Sequence, residues 1–344
     1  MSLFSIFGRS RRSFLPWLTW LGLTMSGALA AAAPAETAIH YLSGRGPADA
    51  VEWQFKVSDG RRSGEWATIR VPSVWEQEGF GTYNYGIRYY GKPNPPAIAR
   101  EQGIYRHRFH VPAEWQERRV RIVFEGSMTD THVRLNGISM GPAHQGGFYR
   151  FRHDITQWLK FGGENELEIT VDKESANQSV NMAERRADYW NFGGIFRPVF
   201  LEVLPPRFID RVAVAAAADG ALEAHVFLGD AAPSGQPTQI VGQVFDAAEA
   251  PIGDSFTAEV AAGSDRAVLH TRVKGVRPWT AETPHLYRVR LTLRQGDRDV
   301  HVVTERIALP KRQPHPIKVR RLRRPRAHAL HARVKHRSIR TRRH

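Results

Sequence analysis

The sequence predicts an all-β chain of two consecutive sandwiches, and three observations predict it. Short runs of alternating apolar and polar residues recur along the 344 residues, with turn residues between them. No stretch of helical period runs longer than about two turns. Pro205-Pro206 divides the runs into two sets, each of the size of one sandwich. Hydrophobic residues make up 42% and aromatics 10%, which is enough for two cores and more than a disordered chain carries.

Before the first run, residues 9–33 read as an export leader. Arg9, Arg11 and Arg12 are followed by an apolar run from Phe14 to Leu23 and then by small residues, with Ala28-Leu29-Ala30 as the processing site. This sets a signal peptide at 1–30. Ser10-Arg11-Arg12-Ser13-Phe14-Leu15 fits the twin-arginine type. An ordinary secretory signal is the alternative, and both routes end in the periplasm or outside the cell. A membrane anchor is the competing reading. The run is short for one and holds Pro16, Thr19, Ser26 and Gly27, so no stable membrane insertion is expected.

The first set of strands fills 36–205. Ala67 to Val71, Gly103 to Val111, Val120 to Phe124, Thr131 to Leu135, Leu167 to Val171 and Val199 to Leu204 alternate, and Asn136-Gly137 is a hairpin turn. Strands of this length and spacing make a sandwich or jelly roll. The second set fills 206–307: Ile209 to Ala215, Leu222 to Leu228, Thr238 to Phe245, Ala267 to Val273 and Tyr287 to Arg294. About seven short strands in roughly 100 residues match an immunoglobulin-like sandwich. From 308 to 344 the patterning stops and Arg, Lys, His and Pro dominate.

The net charge of +15 belongs to the ends. Fourteen Lys/Arg and no acids lie in 308–344 and three arginines lie in 1–30, which leaves 31–307 at −2. A folded body near neutrality does not predict a nucleic-acid partner. The basic tail would attract nucleic acid or anionic lipid, but no aromatic residue is interleaved in it to stack on bases. A disordered tail is the reading adopted. The chain has no cysteine, so disulfides, thiol nucleophiles and cysteine zinc sites are excluded together. His132, His144 and His153 do not have the spacing of a close ligand set. No metal and no cofactor are expected. Ser73, Ser127 and Ser179 lie outside any nucleophile elbow.

Six strings in order carry a resemblance. They are Val71-Pro72-Ser73-Val74-Trp75-Glu76 with Gly79-Phe80-Gly81-Thr82-Tyr83, then Gly103-Ile104-Tyr105-Arg106, Phe124-Glu125-Gly126, and Val133-Arg134-Leu135-Asn136-Gly137. Asp188-Tyr189-Trp190-Asn191-Phe192-Gly193-Gly194-Ile195-Phe196-Arg197-Pro198-Val199 follows, and Pro278-Trp279-Thr280-Ala281-Glu282-Thr283-Pro284-His285-Leu286-Tyr287 closes the set. Together they resemble β-galactosidases of glycoside hydrolase family 2 over about Trp53 to Ile307. The resemblance implies a sugar-binding jelly roll of the galactose-binding-like type, then an immunoglobulin-like domain, then a (β/α)₈ barrel with an acid/base glutamate and a nucleophilic glutamate. Such a pair stands about 5–5.5 Å apart in a retaining enzyme, and a barrel needs on the order of 200 or more residues. Neither glutamate motif occurs here, so no residue is assigned to catalysis and the chain is expected to be inactive alone.

The expectation is therefore a truncated family 2 hydrolase keeping its sugar-binding and immunoglobulin-like domains; a stand-alone exported carbohydrate-binding protein is the alternative. Family members commonly pass from Glu-Arg-aliphatic into Gly-Phe-Arg, whereas Glu305-Arg306-Ile307 passes into Ala308-Leu309-Pro310. This predicts a reading-frame shift at about Ile307, which translation of the other two frames would test.

By position in the string, Asp188 matches a family aspartate on a loop that reaches the sugar, and a carboxylate suits paired hydroxyls. A solvated or capping aspartate is the other reading. Trp190 would either stack on a sugar face or pack. Arg197 is expected to hold the loop through a salt bridge. Tyr83, Tyr85, Tyr89 and Tyr90 form an aromatic cluster that packs on the sandwich or on a barrel. The expected partner is a carbohydrate, a β-galactoside or related β-glycoside. Self-association is expected through the surface a barrel would cover.

Overall fold

The computed structural model describes residues 35–86, 100–229 and 237–310. The expected leader, Tyr89, Tyr90 and the residues beyond Pro310 lie outside these.

The first described strands are β1 (Ala35–Glu36), β2 (Ala38–Tyr41), β3 (Val51–Val57), β4 (Ala67–Val71), β5 (Asn84–Tyr85) and β6 (Gln102–Val111). Then come β7 (Arg119–Phe124), β8 (Asp130–Leu135), β9 (Ile138–Ser139), β10 (Phe151–Asp154), β11 (Gly163–Asp172), β12 (Trp190–Asn191) and β13 (Val199–Leu204). One helix, α1 (Gln178–Glu184), sits between β11 and β12, capped by Asn177, whose side chain accepts the Ser179 N–H. The second half holds β14 (Phe208–Ala216), β15 (Ala221–Gly229), β16 (Thr238–Phe245), β17 (Pro251–Glu259), β18 (Arg266–Arg272), β19 (Leu286–Gln295) and β20 (Arg298–Ala308).

The first sandwich packs a six-stranded sheet, β4-β3-β6-β11-β8-β9, on a four-stranded one, β10-β7-β13-β2. Alternation dictates the packing, because successive side chains point to opposite faces. On β11, Asn165, Leu167, Ile169 and Val171 point inward and are buried. Ile169 lies opposite Tyr105 of β6 on one side and Val133 of β8 on the other. Trp53, Phe55, Trp75, Phe80, Ile122 and Phe124 fill the space between the sheets. Asn136 (φ 51°) and Gly137 (φ 81°) both take the left-handed conformation that the tight hairpin between β8 and β9 requires. The Asn136 amide also donates to the Trp158 carbonyl and to the buried Asn165, each at 2.9 Å.

The second sandwich packs the three-stranded sheet β14-β15-β18 on the five-stranded sheet β1-β20-β19-β16-β17. Ala224, Val226, Ile240, Val289, Leu291 and Leu293 are fully buried in its core or nearly so. Both of its limits differ from the sequence reading. Glu36, assigned to the first sandwich, pairs in parallel with Val302 of β20, so the chain's first described strand completes the second sandwich. At the other limit, β20 runs on through Ala308, Leu309 is 1% exposed, and the Leu309 carbonyl accepts the Trp279 N–H at 2.8 Å. These residues continue the inward–outward alternation and belong to the sandwich rather than to the basic tail.

Charged and aromatic groups join the two sandwiches. Asp210 on β14 receives Arg121 at 2.6 Å and Arg152 at 2.8 Å from β7 and β10, and Arg121 also lies over the Phe208 ring. His301 of β20 is fully buried. Its Nδ1 accepts the Ile209 N–H at 2.9 Å and its Nε2 bonds Thr37 Oγ1 at 3.0 Å. The backbone donor at Nδ1 makes Nε2 the protonated nitrogen.

Candidate sugar-contacting ribbon

At one end of the first sandwich, β5 and β12 form a two-stranded antiparallel ribbon, with Tyr85 opposite Trp190 and Asn84 opposite Asn191. Strand alternation separates their roles. Trp190 faces outward at 50% exposure, while Asn191 is buried and its amide donates to the Arg185 carbonyl at 3.0 Å. The exposed indole is flanked edge-on by Tyr85 at 5.1 Å and Tyr83 at 5.8 Å between ring centroids. The Tyr85 hydroxyl donates to Asp188 Oδ1, and the Gly86 N–H donates to the Tyr189 carbonyl at 2.9 Å. The structure therefore brings together both residues singled out in the sequence, Asp188 and Trp190, and adds Tyr85 to them.

A buried ionic cluster supports the ribbon from below. Lys173 is fully buried, and its Nζ lies 2.6 Å from Glu76 Oε1 and 3.1 Å from Glu101 Oε2. The same ammonium donates to Asn84 Oδ1 at 2.8 Å and to the Thr82 carbonyl. Glu76 in turn accepts the Gly193 N–H at 3.1–3.2 Å, and Trp75 Nε1 donates to Glu101 at 3.2 Å. Burial holds the Glu76 carboxyl above its usual range, against the opposing pull of the Lys173 charge. Gly193 is obligatory for packing: a Cβ there would lie 2.1 Å from the Trp75 ring. The other buried cation of this end is Arg185, whose Nε donates to Thr129 at 2.7 Å and which burial holds below its usual range.

The remaining sequence candidates have other places. Arg197 reaches the Glu125 carbonyl at 3.5 Å and lies over the Phe196 ring, so a carbonyl and an aromatic face stand where a carboxylate was expected. His144 stacks on Phe151 at 3.9 Å, and His132 lies 3.5 Å from Asp172. Among the described residues no group of three or more His, Asp or Glu is arranged to hold a metal ion. Glu76 and Glu101 are the two carboxylates that bind Lys173 beneath the ribbon. Both are buried and bound to Lys173, so neither is placed to attack or protonate a glycosidic bond. What the ribbon offers is an outward carboxylate beside an open aromatic face, the chemistry of hydroxyl acceptance and ring stacking.

The family model described as "Glycosyl hydrolases family 2, sugar binding domain" matches residues 52–205, and "Glycosyl hydrolases family 2" matches residues 208–309. This chain belongs to glycosyl hydrolase family 2. Its relatives in the family include a β-galactosidase of Psychromonas ingrahamii, 30% identical over 66% of this chain and 23% of that protein. A β-galactosidase of Aeromonas hydrophila is 31% identical over 60% of this chain and 21% of that protein. The family 2 chain thus spans about a quarter of the length of the curated relatives it matches. Solved structures share its fold. A family 2 β-glucuronidase aligns with a TM-score of 0.61 at 20% identity, over 80% of this chain and 30% of that one. A Bifidobacterium dentium β-glucuronidase in complex with coumarin-3-O-glucuronide gives 0.61 at 19% identity, over 80% and 49%.

Proposed function

We propose that this chain is a non-catalytic, sugar-contacting portion of a family 2 β-glycosidase of the β-galactosidase type. The ribbon of β5 and β12 meets the terminal sugar, with Asp188 accepting hydroxyls and Trp190 giving a stacking face, while cleavage of the O-glycosyl bond falls to carboxylates of a further domain. The observation that carries this reading is the convergence of Asp188, Tyr85 and half-exposed Trp190 on one outward surface. The names of the relatives support the β-galactoside.

Calorimetry with galactose, lactose and other sugars tests it, together with a chromogenic β-glycoside assay. Binding without turnover, lost in Asp188→Ala, is the expected result. Turnover by the purified chain would sink the non-catalytic reading. A flat calorimetric trace for every sugar would remove both the ribbon's role and the alternative of a stand-alone carbohydrate-binding protein.

Export through the twin-arginine route to the periplasm or beyond is part of the proposal. Arg11-Arg12 and the apolar run to Leu23 support it. N-terminal sequencing of the secreted protein should begin at Ala31, and a retained Met1 would contradict it.

Self-association is proposed through exposed side chains of the first sandwich, Tyr83, Phe148, Tyr149, Met182, Tyr189 and Trp190. Apolar exposure of this kind marks a surface that another body covers.

A further inference from the structure

We infer that Lys173 is the positioning residue of the ribbon, indexing both of its strands from inside the core. The inference rests on the sugar-contact reading of Asp188 and Trp190. Lys173 occupies a position where an apolar residue is expected. Asn165, Leu167, Ile169 and Val171 point inward along β11, and the next inward position is Lys173, with no exposed side-chain surface. An apolar residue of similar length would serve the core as well or better, because burying an ammonium with its counter-charges is often no gain in stability. The position of the ammonium's partners explains what the charge does.

Two of the four acceptors, the Thr82 carbonyl and Asn84 Oδ1, belong to the segment that delivers Tyr85. A third, Glu76, accepts the Gly193 N–H and so fixes the exit of β12 two residues after Asn191. The fourth, Glu101, also accepts from Trp75, whose ring fills the space under Gly193. One ammonium thus ties β5 directly and β12 through a carboxylate. The relative placement of Tyr85, Asp188 and Trp190 follows from those ties. Short ribbons of two residues a strand have too few ladder bonds to hold themselves, so the support comes from below.

The test is fluorine NMR of the chain labelled with 5-fluorotryptophan. Trp190 is assigned by Trp190→Phe, and the buried Trp53 reports on the sandwich. Asn84→Ala removes one tie without leaving a charge unpaired. The triple variant Lys173→Met, Glu76→Gln, Glu101→Gln removes the ammonium without leaving a bare carboxylate, which guards against simple unfolding. In both, the Trp190 resonance is expected to move toward the free-indole position while Trp53 stays, and galactose affinity should fall about tenfold, the loss of one good hydrogen bond's worth of ordering. A Trp190 resonance that does not move in either variant overturns the inference, even with a lowered melting temperature, since a merely structural lysine would do only that. Wild-type chain that binds no sugar overturns the sugar reading instead, and the Trp190 resonance still decides the role of Lys173.

Discussion

Lys173, Glu76 and Glu101 are each at most 4% exposed on their side chains, and one ammonium serves both carboxylates. Removing the shared cation leaves two buried carboxylates without a counter-charge, held only by the Gly193 N–H and the Trp75 indole N–H. Lys173→Met should therefore lower the unfolding free energy by about 3–5 kcal/mol, measured by urea unfolding, and adding Glu76→Gln and Glu101→Gln should restore most of it. At Gly193 the cause is steric. Gly193→Ala drives a methyl into the Trp75 ring, and a loss of about 1–3 kcal/mol is expected; a variant as stable as wild type would show that the Trp75 ring yields. The sequence made only part of this site legible. Asp188 and Trp190 stand in the most distinctive string of the chain, so the string itself points to them. Tyr85 is one tyrosine among several, and nothing local marks it as the one that reaches Asp188 across 103 residues of sequence. The ionic cluster is invisible for the same reason: a lysine after a strand reads as solvent-facing until the fold brings Glu101 to it from 72 residues away.

Strands whose alternation is clean are readable from sequence almost to the residue. Ala67–Val71 and Thr238–Phe245 form as their alternation predicts, and Val199–Leu204, a short apolar run buried on both faces except at Glu202, forms as well. β17 (Pro251–Glu259) escapes because it is an edge strand with Gly253, Asp254 and Ser255 in its middle and a bulge opposite Gly242–Val244; an edge strand buries little and so shows little pattern. β20 carries a pH prediction. Burial, assisted by the nearby Arg118 charge, holds His301 at about 4 against an ordinary 6.5. The unfolded chain takes up the proton as pH falls below 6.5, whereas the folded chain resists until about 4. The contribution of His301 is full above 6.5, declines through that window and is gone below it, and amounts to about 3 kcal/mol at most. His107, also held at about 4 by burial, acts in the same direction. Glu76 and Glu305, raised by burial, act in the opposite one. The informative measurement is thus a difference: His301→Gln keeps an acceptor for Ile209 and a donor for Thr37 but cannot titrate. Its urea midpoint should fall less than that of wild type between pH 7.5 and 4.5. Equal falls would remove His301 from the account.

The molecule as a whole carries its charge and its apolar exposure in different places. The span 31–307 has a net charge of −2, so it does little by itself to keep copies apart, and the +14 lies in 308–344, while the first sandwich exposes Tyr149 at 60%, Met182 at 62% and Trp190 at 50%. Sedimentation of the purified chain should show concentration-dependent association that weakens in Tyr149→Ser with Met182→Gln. A monodisperse monomer at high concentration would contradict it. The pairing of β1 with β20 has a consequence for how such a chain comes to be folded. Ala35 meets His301, and Thr37 bonds the same histidine 264 residues away. The pair of β1 with β20 cannot form until His301 and Val302 have been synthesised, and contacts so distant in sequence form slowly. Ala35 to Thr37 are therefore among the last of the described residues to find their place. Whatever binds the chain just ahead of Ala35 during that interval binds next to a strand that the distant sandwich is still waiting for.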